Sequence, residues 1–167
     1  MKLTKPPISI GLVREDILSL GERLEEVEAV GIVGSLAWDN FDEKRSDIDL
    51  FVVLPDGLED YEAVEKRWWK LLHGLLAPKY QRDVDILFYT LKTVRQVPRW
   101  ESLSMASDGV LIFDKGKVGK LFKRIVQEAE KQGLERIQFH NRPLWQIKPP
   151  VKIGTVVRVE IPEDEEI

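Results

Sequence analysis

Cysteine is absent from all 167 residues, which excludes a disulfide framework, a thiolate metal site and a thiol nucleophile. Histidine occurs only twice, so carboxylates and hydroxyls are left as the main carriers of chemistry. There is no N-terminal apolar core of signal-peptide length and no apolar run long enough to span a membrane, and a soluble cytoplasmic protein is the expectation. Excess positive charge is lacking as well. A net charge of -4 argues against a general nucleic-acid-binding domain. The length suits one domain with a full hydrophobic core and leaves no room for a second catalytic domain.

What the chain does have is a stretch from Gly34 to Leu54 that joins a small-residue turn to two closely spaced carboxylates. Val30-Gly31-Ile32-Val33 reads as a short buried strand ending in Gly34-Ser35, where a backbone free of bulk can open its N–H groups toward an anion. Leu36 to Phe41 reads as a short helix with its N-terminus at Ser35, which adds partial positive charge there. Asp47 and Asp49 open the next strand, Asp47 to Leu54. Two residues apart, they point to one face with Cα atoms roughly 6 to 7 Å apart. Carboxylates held that way repel each other unless a cation lies between them.

The remaining pattern places this stretch. Ile17, Leu20, Leu24 and Val27 recur at helical spacing and predict an amphipathic helix over 14–27, weakened at Gly21. Leu50 to Leu54 is apolar on both faces, as in a central covered strand. Asp60 caps a predicted helix to about Leu76, with Pro78 ending it. A third strand follows over 83–89, again with its carboxylates, Asp83 and Asp85, at the start. Beyond it the pattern predicts a helix over 98–106, a strand over 109–113 and a helix over 118–132. The stripe of Lys117, Lys120, Lys123 and Arg124 on that last helix reads as a solvated face. Composition shifts at Gly133, dividing a core domain, 1–132, from a C-terminal extension, 133–167. The alternating run Val151 to Ile161 is that extension's strand candidate or a partner-docking segment.

A strand, a crossover helix and a further strand normally form a right-handed parallel unit. Strands two and three then start at the same sheet edge. A first strand antiparallel to the second, as the short connection favours, ends at that edge too. Ser35, Asp47, Asp49 and Asp85 converge on this argument. Asp85, flanked by Val84 and Ile86, is fixed in its strand more firmly than Asp83, which follows Arg82.

Gly34-Ser35, then Ser46-Asp47-Ile48-Asp49-Leu50, then Val84-Asp85-Ile86 resembles the nucleotidyltransferase superfamily that includes DNA polymerase beta, in particular its minimal members, the MNT proteins. The resemblance covers 14–115. It implies an α/β (α+β) fold, a mixed central sheet flanked by helices like the palm of polymerase beta. It further implies that Gly34 and Ser35 hold the terminal phosphates of a nucleoside triphosphate, ATP first among them. By the same resemblance Asp47 and Asp49 bind two magnesium ions, and Asp85 binds the one that activates an acceptor hydroxyl. Small members often continue Gly-Ser with x-Ala-Arg-Gly; here Ala37 matches, whereas Trp38 and Asp39 replace Arg and Gly. The missing Arg removes a phosphate contact, for which Lys44 or Arg45 is a candidate replacement.

The implied reaction is transfer of a nucleoside monophosphate to a hydroxyl of a protein, an RNA end or a small molecule. Small members are also commonly paired with helical HEPN partners as antitoxin and toxin, so a binding module is the alternative. A glycosyltransferase with an Asp-x-Asp motif needs a longer chain than this one.

Overall fold

The computed structural model describes residues 4–97, 100–163 and 165–167. Four strands form one mixed sheet in the order β3-β2-β1-β4: β1 Ala29–Val33, β2 Ile48–Leu54, β3 Val84–Thr90 and β4 Val110–Asp114. β1 runs antiparallel to both β2 and β4, and β2 runs parallel to β3, as strand order and connection length predict. Helices cover both faces. α1 (Ile10–Leu18) and α3 (Tyr61–Tyr80) lie on one; α5 (Trp100–Asp108) and α6 (Val118–Lys131) lie on the other. The short helices α2 (Gly34–Ala37) and α4 (Leu91–Gln96) follow β1 and β3.

β2 shows why its sequence is apolar throughout. Ile48, Leu50, Val52 and Leu54 pack with Ile17, Trp68, Leu72 and Leu76 of the first helical layer. Phe51 and Val53 pack with Leu103, Leu121, Phe122 and Ile125 of the second. Strand alternation therefore sets Asp49 on the α5–α6 face, and the same alternation on β3 sets Asp85 there. Gly31 of β1 makes this second layer possible. A Cβ at Gly31 would overlap the Phe51 ring and approach the Val110 carbonyl oxygen to 2.7 Å. Gly31→Ala is expected to cost about 1–3 kcal/mol, read as a fall in melting temperature. Recovery of most of that loss in Gly31→Ala with Phe51→Leu would show that the ring is the obstacle.

Several elements depart from expectation. The first amphipathic stretch divides into α1 and a 3-10 helix over Gly21–Glu26, the backbone at Gly21 taking φ 56°. Pro78 does not end α3, which continues to Tyr80. Tertiary contacts hold that last turn: Tyr80 is buried, its hydroxyl donates to Asp16 Oδ2 at 2.6 Å, and Lys79 Nζ lies 2.5 Å from Asp16 Oδ1. Of the helix expected over 98–106, Pro98 and Arg99 lie outside the described residues. The Val151 to Ile161 strand is not formed; the extension's strands are β5 Leu134–Phe139 and β6 Arg142–Ile147, an antiparallel hairpin. This hairpin is bound to the second layer. Leu134 and Trp145 join its core, Arg136 pairs with Asp108, and Trp145 Nε1 donates to Ser107 Oγ at 3.0 Å. Lys117, just before α6, and Lys120 and Lys123 on it are exposed, while Arg124 pairs with Glu128 at 3.2 Å and Glu165 at 2.8 Å.

Candidate functional site

β1 delivers the chain into the Gly34-Ser35 turn, and Val33 lies directly across from Asp49 in the antiparallel pair. Asp49 in turn lies in register with Asp85 in the parallel pair. Three strands thus bring the turn and both carboxylates to one edge. Asp47 sits just before β2 and is partly buried. Gly34 adopts φ 71°, and a Cβ there would overlap Asp49 Oδ2. The Asp49 carboxylate therefore rests in space that only glycine leaves open. The first N–H groups of α2 have no intrahelical acceptor, which leaves donors at Gly34 and Ser35.

Burial of the Asp49 carboxyl, reinforced by the negative charges of Asp85 and Asp47, pushes its pKa from 3.8 up to about 6. Such mutual repulsion, on a hard oxygen donor set, fits a divalent cation such as magnesium. Among the described residues, no three His, Asp or Glu side chains are already gathered as a finished metal cage. Asp49 and Asp85 face one cavity, and Asp47 does not line it.

The raised pKa has a consequence for stability. Between pH 3.8 and about 6 the folded chain holds a proton on Asp49 that the unfolded chain has lost, so stability falls as pH rises through that window. In the presence of a chelator, Asp49→Asn is expected to melt above wild type near neutral pH. That difference is expected to shrink toward zero below the window, as thermal melts across pH would show.

The cavity occupies about 630 Å³. Gly34 and Trp38 line it from the turn, Asp49 and Asp85 from the strands, Trp100 and Glu101 from α5, and Pro143 and Leu144 from β6. Trp100 is part of the cavity wall and is 55% exposed. Glu101, Pro143 and Leu144 carried no motif signal; α5 and the hairpin bring them in. Arg82 was missed too. Its side chain is buried, donates from Nη1 to the Glu43 carbonyl at 2.5 Å, and lies 4.9 Å from the Phe41 ring. It thereby ties the loop before Asp47 to the start of β3. Lys44 and Arg45 are exposed beside the Asp42 turn and do not line the cavity. His73 is partly buried and stacked on Trp69 at 4.5 Å, and His140 is exposed at the hairpin tip.

Asp39, standing where the resemblance leads one to expect glycine, takes φ 58°. Aspartate tolerates this left-handed conformation better than most residues. Asp39→Gly is expected to stay within about 0.5 kcal/mol of wild type, and Asp39→Val to lose about 1–2 kcal/mol in denaturant titrations.

Among solved structures, a Sulfolobus solfataricus protein described as a candidate nucleotidyltransferase is 19% identical, over 65% of this chain and 82% of its own, with a TM-score of 0.40. A toxin–antitoxin with AMP-PNP is 22% identical over 71% and 89%, TM-score 0.45. The toxin–antitoxin MntA–HepT is 21% identical over 73% and 89%, TM-score 0.43. No curated protein matches the chain. Residues 13–153, most of the chain, match the family described as the nucleotidyltransferase domain. With its Gly-Ser turn, its mixed sheet and its paired strand carboxylates, this chain belongs to the nucleotidyltransferase domain family.

Proposed function

We propose that this protein transfers a nucleoside monophosphate from a magnesium-bound nucleoside triphosphate, ATP first, to an acceptor hydroxyl. The observation that carries the reading is the register of Asp49 with Asp85 beside Gly34. Asp47, Asp49 and Asp85 are the proposed ligands for two magnesium ions. When bound, the metal would lower the acceptor hydroxyl's pKa and offset charge on the attacking and leaving oxygens. Gly34 keeps the Asp49 carboxylate seated, and the open N–H groups of Gly34 and Ser35 are positioned to donate to the terminal phosphates. Arg82 fixes the loop from which Asp47 projects. In the reaction, the acceptor hydroxyl gives up its proton to water, its oxygen bonds to the α-phosphorus while the bond to the β-phosphate's bridging oxygen breaks, and pyrophosphate leaves with that electron pair. Calorimetry with a nonhydrolysable ATP analogue is expected to show binding that requires magnesium. Binding that is equal in a chelator, or absent with the metal, sinks the proposal.

A second reading is favoured by Val151, Ile153 and Val156, exposed at 54%, 108% and 77% on the C-terminal segment. In it the chain is an antitoxin that docks a helical HEPN-type partner through that segment, with or without modifying it. Co-purification with a small all-helical protein encoded next to it supports this reading, and a monomer with full activity on free small molecules counts against it.

A further inference from the structure

We infer that the cavity beside Asp49 and Asp85 is the acceptor subsite, in which Trp100 and Glu101 recognise an ammonium or guanidinium group carried close to the acceptor hydroxyl. The inference rests on the nucleotidyl-transfer reading above. Asp85 and the residues after it, Ile86 and Leu87, line the cavity, whereas Ser35 does not. Gly34, the other donor proposed for the phosphates, does line it, so the space runs from the turn across the carboxylates to β3, and its β3 and α5 part is the one assigned to the acceptor. At about 630 Å³ it lies within the range of about 300–1,000 Å³ typical of small-ligand sites.

The lining selects by charge. Its ionisable members are Asp49 and Asp85, assigned above to magnesium, and Glu101, which keeps its charge for the acceptor; no Lys, Arg or His is present among the described lining residues. Trp38 and Trp100 add two indole rings. A cation is attracted to the face of an indole by the ring's quadrupole, and the exposed Glu101 carboxylate adds a solvent-screened attraction of the same sign. An RNA end would bring phosphates against Glu101, with no Lys or Arg among the described lining residues to meet them, where RNA-binding surfaces supply such cations. α5, which carries Trp100 and Glu101, is anchored at its other end to the hairpin through Asp108 with Arg136 and Ser107 with Trp145. The subsite is therefore held before any acceptor arrives.

The test uses the full chain, with and without magnesium and the nonhydrolysable ATP analogue, and follows tryptophan fluorescence. Four probes are compared: a serine peptide flanked by lysines, the same peptide flanked by glutamates, a free amino alcohol and a short RNA with a free 3′ hydroxyl. The lysine peptide or the amino alcohol is expected to bind at least about tenfold tighter than the glutamate peptide and the RNA. Whichever of the two binds tighter identifies the source of the cation as a protein segment or a small molecule. Glu101→Gln and Trp100→Leu are each expected to reduce that preference to about threefold or less while the analogue still binds. Equal or tighter binding of the RNA or the glutamate peptide overturns the inference. So does an undiminished preference in Glu101→Gln, or competition between the lysine peptide and the analogue for one place. If the analogue fails to bind, the transfer reading falls, and the charge preference measured without it still decides the cavity's chemistry.

Discussion

Asp49→Asn combined with Asp85→Asn is expected to lower nucleotidyl transfer by at least about 10³-fold while leaving the chain folded, because each loses a charge and keeps its shape. The two carboxylates share a register position on adjacent parallel strands, and the charge of Asp85 contributes to the raised pKa of Asp49. Removing both charges removes that repulsion, so thermal stability in a chelator is expected to rise as activity collapses. Opposite signs for activity and stability separate a functional loss from a folding loss. The single variants are expected to lose nearly as much as the double, because ligands acting as a unit are not additive. A double variant within tenfold of wild type, in an assay of labelled nucleotide transfer, removes these residues from the mechanism.

Gly34→Ala is expected to be the most damaging single-methyl change at the site. Its backbone is held at φ 71°, where an L-residue costs about 1–2 kcal/mol. The new methyl would also overlap Asp49 Oδ2, so the carboxylate must swing away from the position it holds beside Asp85. The expected results are a lower melting temperature and at least about tenfold weaker magnesium-dependent binding of the ATP analogue. In a double-mutant cycle, Asp49→Ala removes the overlap but not the backbone strain. The two penalties should therefore separate as a coupling term of about 1 kcal/mol or more. A Gly34→Ala protein as stable as wild type, with unchanged binding, contradicts this account of the turn.

The convergence of Asp49 and Asp85 at one edge was legible because the elements that carry them obey local rules. Asp47 and Asp49 stand at the mouth of an apolar run, Asp85 stands at the same place in the next, and a crossover helix dictates that such strands run parallel. What the sequence hid depends on contacts distant in the chain. The β5–β6 turn uses His140 and Asn141 at φ 48° and 61°, the conformation that Asn-Gly or Asp-Gly usually announces, and here no glycine marks it. The alternation of Val151 to Ile161 misled for a related reason. Val157, Val159 and Ile161 pack against the second core, so one face of an irregular segment mimics a strand that has no partner. Pro78 misled because Asp16, distant in sequence, holds the helix end beyond it. Trp38 and Asp39 looked like losses from a phosphate-binding motif; one lines the cavity and the other takes the backbone conformation that glycine would.

The hairpin's share in the cavity also orders events during synthesis. A nascent chain emerging as far as Lys131 already contains every carboxylate of the site and the whole four-stranded sheet, yet it lacks Pro143 and Leu144. The parts that would hold metal and phosphate are made first, and the β6 part of the cavity wall is made later. A ribosome-bound intermediate would thus face its surroundings with a trough still open on the side that Pro143 and Leu144 wall, until residues 132–144 have emerged.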